Sequence, residues 1–552
     1  MHMQRRSIPL TGSAVAVLSF LVLVPGAVHA QAAGAGGTIQ SARAEAMEAV
    51  EAYVRIVKEA RRLEYEDAGR GREPAAGQVA DEHRPAAIEA LDAAGQASPG
   101  DDWIVGHRVG MRIKQGLMDE AREVAEACEA TPWWCAALQG FTRQQTGRIL
   151  EAEEAFERAL EAMPSQVWCA WTEEISWLLE PELAEEYAAA RCVDRGPLME
   201  RFWWLADPLY LTPGNERRVE HFARLVALRL HDETLHLVDL DCAPEHRRSF
   251  LVLGVPQEWW SFEQFFVPFD EAAGRRFLPG TAIVQDPWSH GPDDWEHRAR
   301  SREERYDPGF GPFYELEQQT AFFVRGDSIE VTAAAQLRGH PLAVRAPLTV
   351  GVALAPGPGE PPVVVRAEGD GDLYRFRART ADAPQVVSVE AMGEREGAAR
   401  TRFGHTRPAP GAQGIEISDL LVYEWADGLE QTLEATAPRM LGSTRIEGGR
   451  EIGVYWEVYG VAAEQMIEFT VSGIPTEPGV LRRLGQALRI VSPRETMEVR
   501  WTEPADADGM IGRTLRLDIS QLSEADYVLE LRAGAPGTSP AAAQRRIRIV
   551  EG

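Results

Sequence analysis

The chain has 552 residues, 45% hydrophobic and 26% charged, with a formal net charge of −28. That length exceeds what one core supports and predicts several domains. So large a negative charge repels phosphate backbones and anionic lipid, which excludes nucleic acid as a partner.

The N-terminus reads as an export signal. Arg5 and Arg6 form a basic start, and Ala14 to Val24 is an apolar run cut short by Pro25-Gly26. A membrane anchor needs about 20 apolar residues. Val28-His29-Ala30 supplies small residues at the two positions a signal peptidase reads, so residues 1–30 are expected to be removed and the mature chain to start at Gln31. No cysteine follows the site, and no later segment is apolar enough to span a membrane. The expected location is the periplasm, the outer-membrane surface or the medium.

Cysteine usage agrees with an oxidising compartment. Of the five cysteines, Cys128 with Cys135 and Cys169 with Cys192 form two close pairs that predict disulfides, leaving Cys242 over. No CxxC motif occurs, so neither a redox pair nor a zinc ribbon is indicated.

Residues 31–200 are expected to form a helical repeat domain. Ile39, Ala42, Ala46, Val50, Val54 and Val57 recur at three- and four-residue steps, making one apolar stripe. Trp103 and Trp134 recur at the same spacing as Gly116 and Gly147, and Pro132 and Pro164 recur one residue further apart. Gly140, Gly147, Ala152, Phe156, Ala159 and Pro164 let two antiparallel helices approach, fill the gap and stop the second helix. In this order they resemble a tetratricopeptide repeat. A third hairpin, Val167 to Arg191, is expected to be clipped by Cys169–Cys192.

Residues 201–320 carry a second resemblance. Trp203-Trp204, Asp207-Pro208, Thr212, Asn215-Glu216 and a helix bearing Glu220 and Arg224 resemble the opening of the GWxTD-domain family of exported bacterial proteins. Ser249 to Gly254 with Val255-Pro256 looks like that family's strand and Gly-x-Pro turn. The family's name motif is degenerate, with Asp241-Cys-Ala-Pro-Glu245 in its place. The resemblance implies a small α/β domain and supplies no mechanism. From the residues alone, Thr212 is expected to cap a helix starting at Pro213. Val219, Phe222, Val226 and Leu230 would be its buried stripe, with Asp207, Asn215 and Glu216 tying the preceding loop to it.

Beyond these residues the pattern changes to period-two strands broken by turns, at Ile329–Ala333, Val363–Arg366, Leu373–Arg377, Val386–Val389, Ile452–Tyr459 and Leu515–Ile519. This predicts β-sandwiches over 321–410 and 411–552, divided at the turn-rich Arg407–Gly414. The expected fold class is thus α+β multidomain. The helical half and Trp203–Arg224 are expected to be one rigid unit, with the sandwiches attached as separate modules.

No residue constellation points to catalysis, a cofactor or a metal. His221, His231, His236 and His246 follow no ligand spacing. Arg325-Gly-Asp-Ser328 spells an adhesion tripeptide at a strand turn, where Gly-Asp is ordinary turn chemistry. Asp506-Ala-Asp-Gly509 is similar to a calcium loop, but Leu515 stands at its twelfth position and a hairpin tip is expected instead. Glu258 and Glu263 belong to no recognisable hydrolase motif. Tryptophan is the unusual component. Trp133, Trp134, Trp168 and Trp171 either fill the helical core or line a concave face that binds a partner. The expected function is that of an exported, non-enzymatic interaction or assembly protein with protein or peptide partners in the cell envelope. The alternatives are a glycan-binding protein using these tryptophans and a hydrolase of envelope polymers.

Overall fold

The structure, a computed structural model, describes residues 30–67, 76–232, 244–253, 278–295, 313–345, 347–369, 371–393, 397–408, 414–475, 497–520 and 522–551. Residues 1–29 of the expected export signal, Cys242, His236, Glu258, Glu263 and the expected Gly254-Val-Pro256 turn lie outside them.

The N-terminal region is helical and is followed by sheets. Its helices are α1 (Ala30–Asp67), α2 (Ala76–Ala97), α3 (Asp102–Lys114), α4 (Met118–Glu126), α5 (Pro132–Gln145), α6 (Ile149–Ala162), α7 (Ser165–Glu173) and α8 (Pro181–Ala189). Next come α9 (Gly196–Ala206), α10 (Glu216–Asp232), α11 (Pro244–Leu253) and α12 (Thr281–Gln285). The α1 stripe buries Ala46, Val50, Val54 and Val57 against Leu91 of α2 and Ile104 of α3. Asp101 caps α3 by accepting the N–H groups of Trp103 and Ile104 at 2.9 and 3.1 Å. The α5–α6 pair closes at Gly140, where an added Cβ would stand 2.8 Å from the Phe156 ring. Both expected disulfides are present. Cys128–Cys135 ties the loop after α4 to α5, and Cys169–Cys192 ties α7 to the turn after α8.

Two local expectations are corrected. Helix α10 begins at Glu216, and its cap is Asn215, whose Oδ1 accepts the Arg218 N–H at 2.9 Å. Gly214 has a left-handed φ of +86°, so no helix can run through it from Pro213. The Thr212 hydroxyl instead donates to Leu209 O and Glu216 Oε1. The expected strand at Ser249–Leu253 is part of helix α11. Four consecutive apolar residues do not distinguish a short buried strand from a helix, and Arg224 holds this segment by donating to Leu251 O at 2.8 Å.

The strands are β1 (Phe313–Glu315), β2 (Glu317–Arg325), β3 (Ser328–Gln336), β4 (Leu348–Ala355), β5 (Val363–Gly369), β6 (Leu373–Ala381), β7 (Gln385–Gly393) and β8 (Gly397–His405). After them come β9 (Glu416–Ile417), β10 (Leu421–Glu424), the one-turn helix α13 (Leu433–Thr436), β11 (Arg445–Glu447), β12 (Glu451–Val461) and β13 (Met466–Pro475). The chain closes with β14 (Met497–Pro504), β15 (Gly509–Asp518), β16 (Ala525–Gly534) and β17 (Ala541–Val550). Sheet A has the order β1-β8-β7-β4-β5 and sheet B the order β2-β3-β6. Sheet C runs β10-β12-β15 with β9 also on β12, and sheet D runs β11-β17-β16-β13-β14. Pairing is antiparallel except for β1 with β8 and β11 with β17. The Asp508-Gly509 turn joins β14 in sheet D to β15 in sheet C, so it is an arch between sheets rather than a hairpin tip.

These layers form a stack. Phe202, Trp203 and Tyr210 share one core with Val350 and Val389 of sheet A and with Val331 and Phe376 of sheet B. Ala321, Phe323 and Ala334 on the other face of sheet B pack with Tyr423 and Tyr455 of sheet C. Val454, Trp456 and Val458, on the far face of β12, join sheet D in a third core. This explains why β7 and most of β12 are buried without alternation, whereas the peripheral β17 alternates. The expectation of separately attached modules therefore fails on the described residues. Gln319 of sheet B, for example, donates to Val422 O and Leu441 O and accepts the Val422 N–H at 2.7–2.9 Å.

Candidate functional site

The segment Trp203–Arg224 gathers at the contact between α9–α10 and sheet A. Asn215 donates to Trp203 O at 2.6 Å while its own N–H donates to Glu153. Glu220 accepts from Gln144 and Arg224. The turn after Asp207-Pro208 offers the N–H groups of Tyr210 and Leu211 to the Glu390 carboxylate at 3.1 and 2.9 Å. Arg400 donates to the carbonyls of Asp207 and Pro208, and Arg402 to those of Leu205 and Asp207. Arg402 also pairs with Glu390 at 3.3 Å, and its guanidinium lies 3.9 Å from the centre of the Tyr210 ring.

Electrostatically this network carries more acid than its neighbours neutralise. Burial, then the Glu216 charge, push the Asp207 carboxyl well above the usual carboxylate range. Burial lifts Glu216 to about 7 against the opposing hydrogen bond from Thr212. Glu216 Oε2 is shut from solvent without a hydrogen-bond partner among the described residues. Burial, helped by neighbouring Arg402, lowers Arg400 to about 9. These side chains serve the joint between layers.

The sequence-selected tryptophans are mostly interior. Trp133, Trp134 and Trp171 are buried in the α5–α6–α10 core, with Trp133 edge-on to Trp171, and only Trp168 is half-exposed. They offer no stacked, solvent-facing row. Trp203 is buried beside the His221 ring, and Trp204 is half-buried against Trp288. His221 is enclosed, with burial and then Arg217 holding its imidazole well below the usual value. Among the described residues no group of three His, Cys, Asp or Glu side chains is placed to hold a metal ion.

A cleft of about 930 Å³ opens where sheets B, C and D meet. The Arg325 guanidinium forks onto Glu457 with Nη1–Oε2 2.6 Å and Nη2–Oε1 2.8 Å. Tyr455 and Tyr459 hydroxyls donate to the same carboxylate at 2.8 and 2.5 Å. Burial, then the Glu457 charge, raise both phenols. The adhesion-like tripeptide is therefore a two-residue turn, Gly326 having φ +73°, whose arginine is committed inside the protein. Across the cleft Arg513 binds Glu503 and Asp506. Gly512 lies where a Cβ would stand 2.4 Å from Gln431 O, so only glycine lets the α13 segment form the opposite wall. Trp501, Met510 and Thr432 complete the lining.

Sequence reading named Arg325 in its turn and the strand Ile452–Tyr459 separately, without joining them. The available signal was the period-two row Tyr455, Glu457, Tyr459, three polar groups on one face of a strand otherwise rich in apolar residues.

No family model and no curated protein matches the chain. Among solved structures, a red sea bream transglutaminase is similar over 47% of this chain at 7% identity and a TM-score of 0.15. This chain spans about a third of that enzyme, 35%. The FN1–FN3 domains of chicken CNTN1 are similar over 43% of this chain and 67% of that one, at 11% identity and a TM-score of 0.15.

Proposed function

We propose that the protein is an exported, non-enzymatic interaction or assembly protein of the bacterial cell envelope, and that the cleft between sheets B, C and D is its binding surface. The observation that carries this reading is the state of the charges in that cleft. Arg325 is neutralised by Glu457, and Arg513 by Glu503 and Asp506, all on strands or strand turns. Such an arrangement gives a rigid, pre-formed surface, the property that lowers the entropy cost of binding.

The remaining expectations join the proposal. Two disulfides support an oxidising compartment, and among the described residues no helix is long and apolar enough to cross a membrane. The α3–α6 pairs support the tetratricopeptide-like reading, with Gly116 and Gly147 both left-handed at the ends of α3 and α5. The Trp203–Arg224 network supports a GWxTD-like segment that joins helices to sheets. The domain divisions at 200, 320 and 410 remain part of this reading.

The test is site-specific photo-crosslinking from Met510, an exposed cleft residue, in native envelopes. We expect one discrete adduct, absent when the probe replaces exposed Val193 on the helical region. Equal labelling from both positions, or turnover of envelope polymer by the purified protein, overturns the reading.

A further inference from the structure

We propose that the cleft accepts an extended, basic peptide that adds as a strand to the free edge of β15. This rests on the binding reading above and specifies its ligand.

Backbone geometry identifies the edge. Among the described residues, strand β15 ends sheet C and pairs with β12 alone. Glu457 of β12 donates its N–H to Ser418 Oγ at 2.9 Å, and its carbonyl accepts the Ser418 N–H at 2.9 Å. Both backbone groups of Glu457 thus point away from β15. Gly512, opposite Glu457 in the register, is in a non-hydrogen-bonded pair, so its own N–H and C=O point outward. By the two-residue period, Met510 and Thr514 present theirs on the same side. Among the described residues, the hydrogen bond seen on these outward groups is from Arg513 Nη1 to Gly512 O at 2.8 Å. An incoming N–H can take that place, because Arg513 keeps Glu503 and Asp506.

The cleft supplies room and chemistry beside this edge. A paired strand needs about 4.8 Å; the α13 segment packs onto the face of β15 at Gly512, and the open volume is lined by Met510 to Leu515 of β15 itself. The charges choose the occupant. The lining holds four carboxylates, Glu434, Glu457, Glu503 and Asp506, against two arginines, Arg325 and Arg513, and the most exposed of the carboxylates, Glu434 and Asp506 at 70% and 71%, pair at 3.4 and 3.3 Å with Arg377 and Arg513. A ligand therefore meets carboxylates first, and the −28 net charge of the whole chain draws cations from further away. Met510, exposed at 41%, offers an apolar contact for alternate side chains. Strand addition takes affinity from main-chain hydrogen bonds and selectivity from alternate side chains.

Binding of a labelled, blocked Val-Lys-Val-Lys-Val-Lys peptide to the full mature chain, followed by fluorescence anisotropy, tests this. We expect saturable binding, and at least tenfold weaker binding for one of two analogues N-methylated at alternate amides. The corresponding Val-Glu peptide should not bind. Met510→Pro, which removes an outward N–H that an edge strand can spare, should weaken binding at least tenfold with an unchanged melting curve. Met510→Ala should change it less than threefold. Equal binding of both methylated analogues overturns strand addition. Binding of an oligosaccharide instead, abolished by Trp501→Ala, overturns the peptide. If crosslinking from Met510 finds a partner while methylation has no effect, the binding reading survives and this one fails. If neither gives a signal, both fail.

Discussion

Two polar networks hold the layers of this molecule together, and they solve the burial of charge in opposite ways. Between sheets B and C, Glu457 receives two N–H groups from Arg325 and two hydroxyls, so its charge is fully answered. Between α9–α10 and sheet A, the carboxyls of Asp207, Glu216 and Glu390 crowd against Arg400 and Arg402, and acidity there is relieved by raising pKa values. The first network is saturated by donors and can border an open cleft. The second relies on protons and packing, and it lies where the chain passes from helices to strands. Saturation makes a surface that tolerates solvent, whereas excess acid makes a joint whose strength depends on pH.

The largest effect is expected from breaking the joint while leaving a buried charge. Arg402→Met strands Glu390, which is fully buried, and should cost about 3–5 kcal/mol. Denaturant unfolding of the purified protein measures it. Adding Glu390→Leu should recover most of that loss, because the uncompensated charge, not the missing pair, carries the cost. A double variant as weak as the single one would show that the pair itself provides the stability.

Trp203→Ala should cost a similar or slightly smaller 3–5 kcal/mol by opening a cavity. Trp203 shares its core with sheets A and B, so the loss should appear in hydrogen exchange on β4 and β7 as well as on α9. Loosening confined to the helices would restore the picture of separate modules. At the saturated network, Glu457→Gln keeps the shape and removes the charge, and about 2 kcal/mol is expected. That loss should be flat from pH 5 to pH 8, because Arg325 and both tyrosines keep their protons throughout.

Much of the architecture was legible because it follows from period and punctuation. The α1 stripe, the Gly140–Phe156 contact and both cysteine pairs all depend on residues close in sequence. The stacking of four sheets was not. A strand buried on both faces, such as β7, loses the alternation that marks a face, and its partners lie far away in the chain. The helix at Ser249 was missed because an unbroken apolar run has no period. The cleft was invisible because its parts come from Arg325, Glu457 and Arg513, which only the fold brings together. Tryptophan richness pointed to the helices, where burial leaves little for a ligand to touch.

The smallest effect is the most specific to the comparison. Glu216 sits in the first turn of α10, where the helix dipole favours its anion. Burial outweighs this and raises its pKa from 4.5 to about 7. A carboxyl with a raised folded-state pKa contributes its protonation free energy below the unfolded value. That contribution is lost as pH rises through the folded value. The window is therefore pH 4.5 to 7, and wild-type stability should fall across it relative to a variant that cannot ionise. Glu216→Gln retains an acceptor for the Thr212 hydroxyl. It should match the wild type within a few tenths of a kcal/mol near pH 4.5 and exceed it by about 1–2 kcal/mol at pH 8, less than the full shift because the amide is also desolvated. For a chain of this size that gain is a few degrees in Tm. Thermal unfolding of both proteins between pH 4.5 and 8 decides the matter. A difference that stays constant with pH would mean that Glu216 is ionised throughout, and that the helix–sheet joint balances its charges as completely as the Glu457 network does.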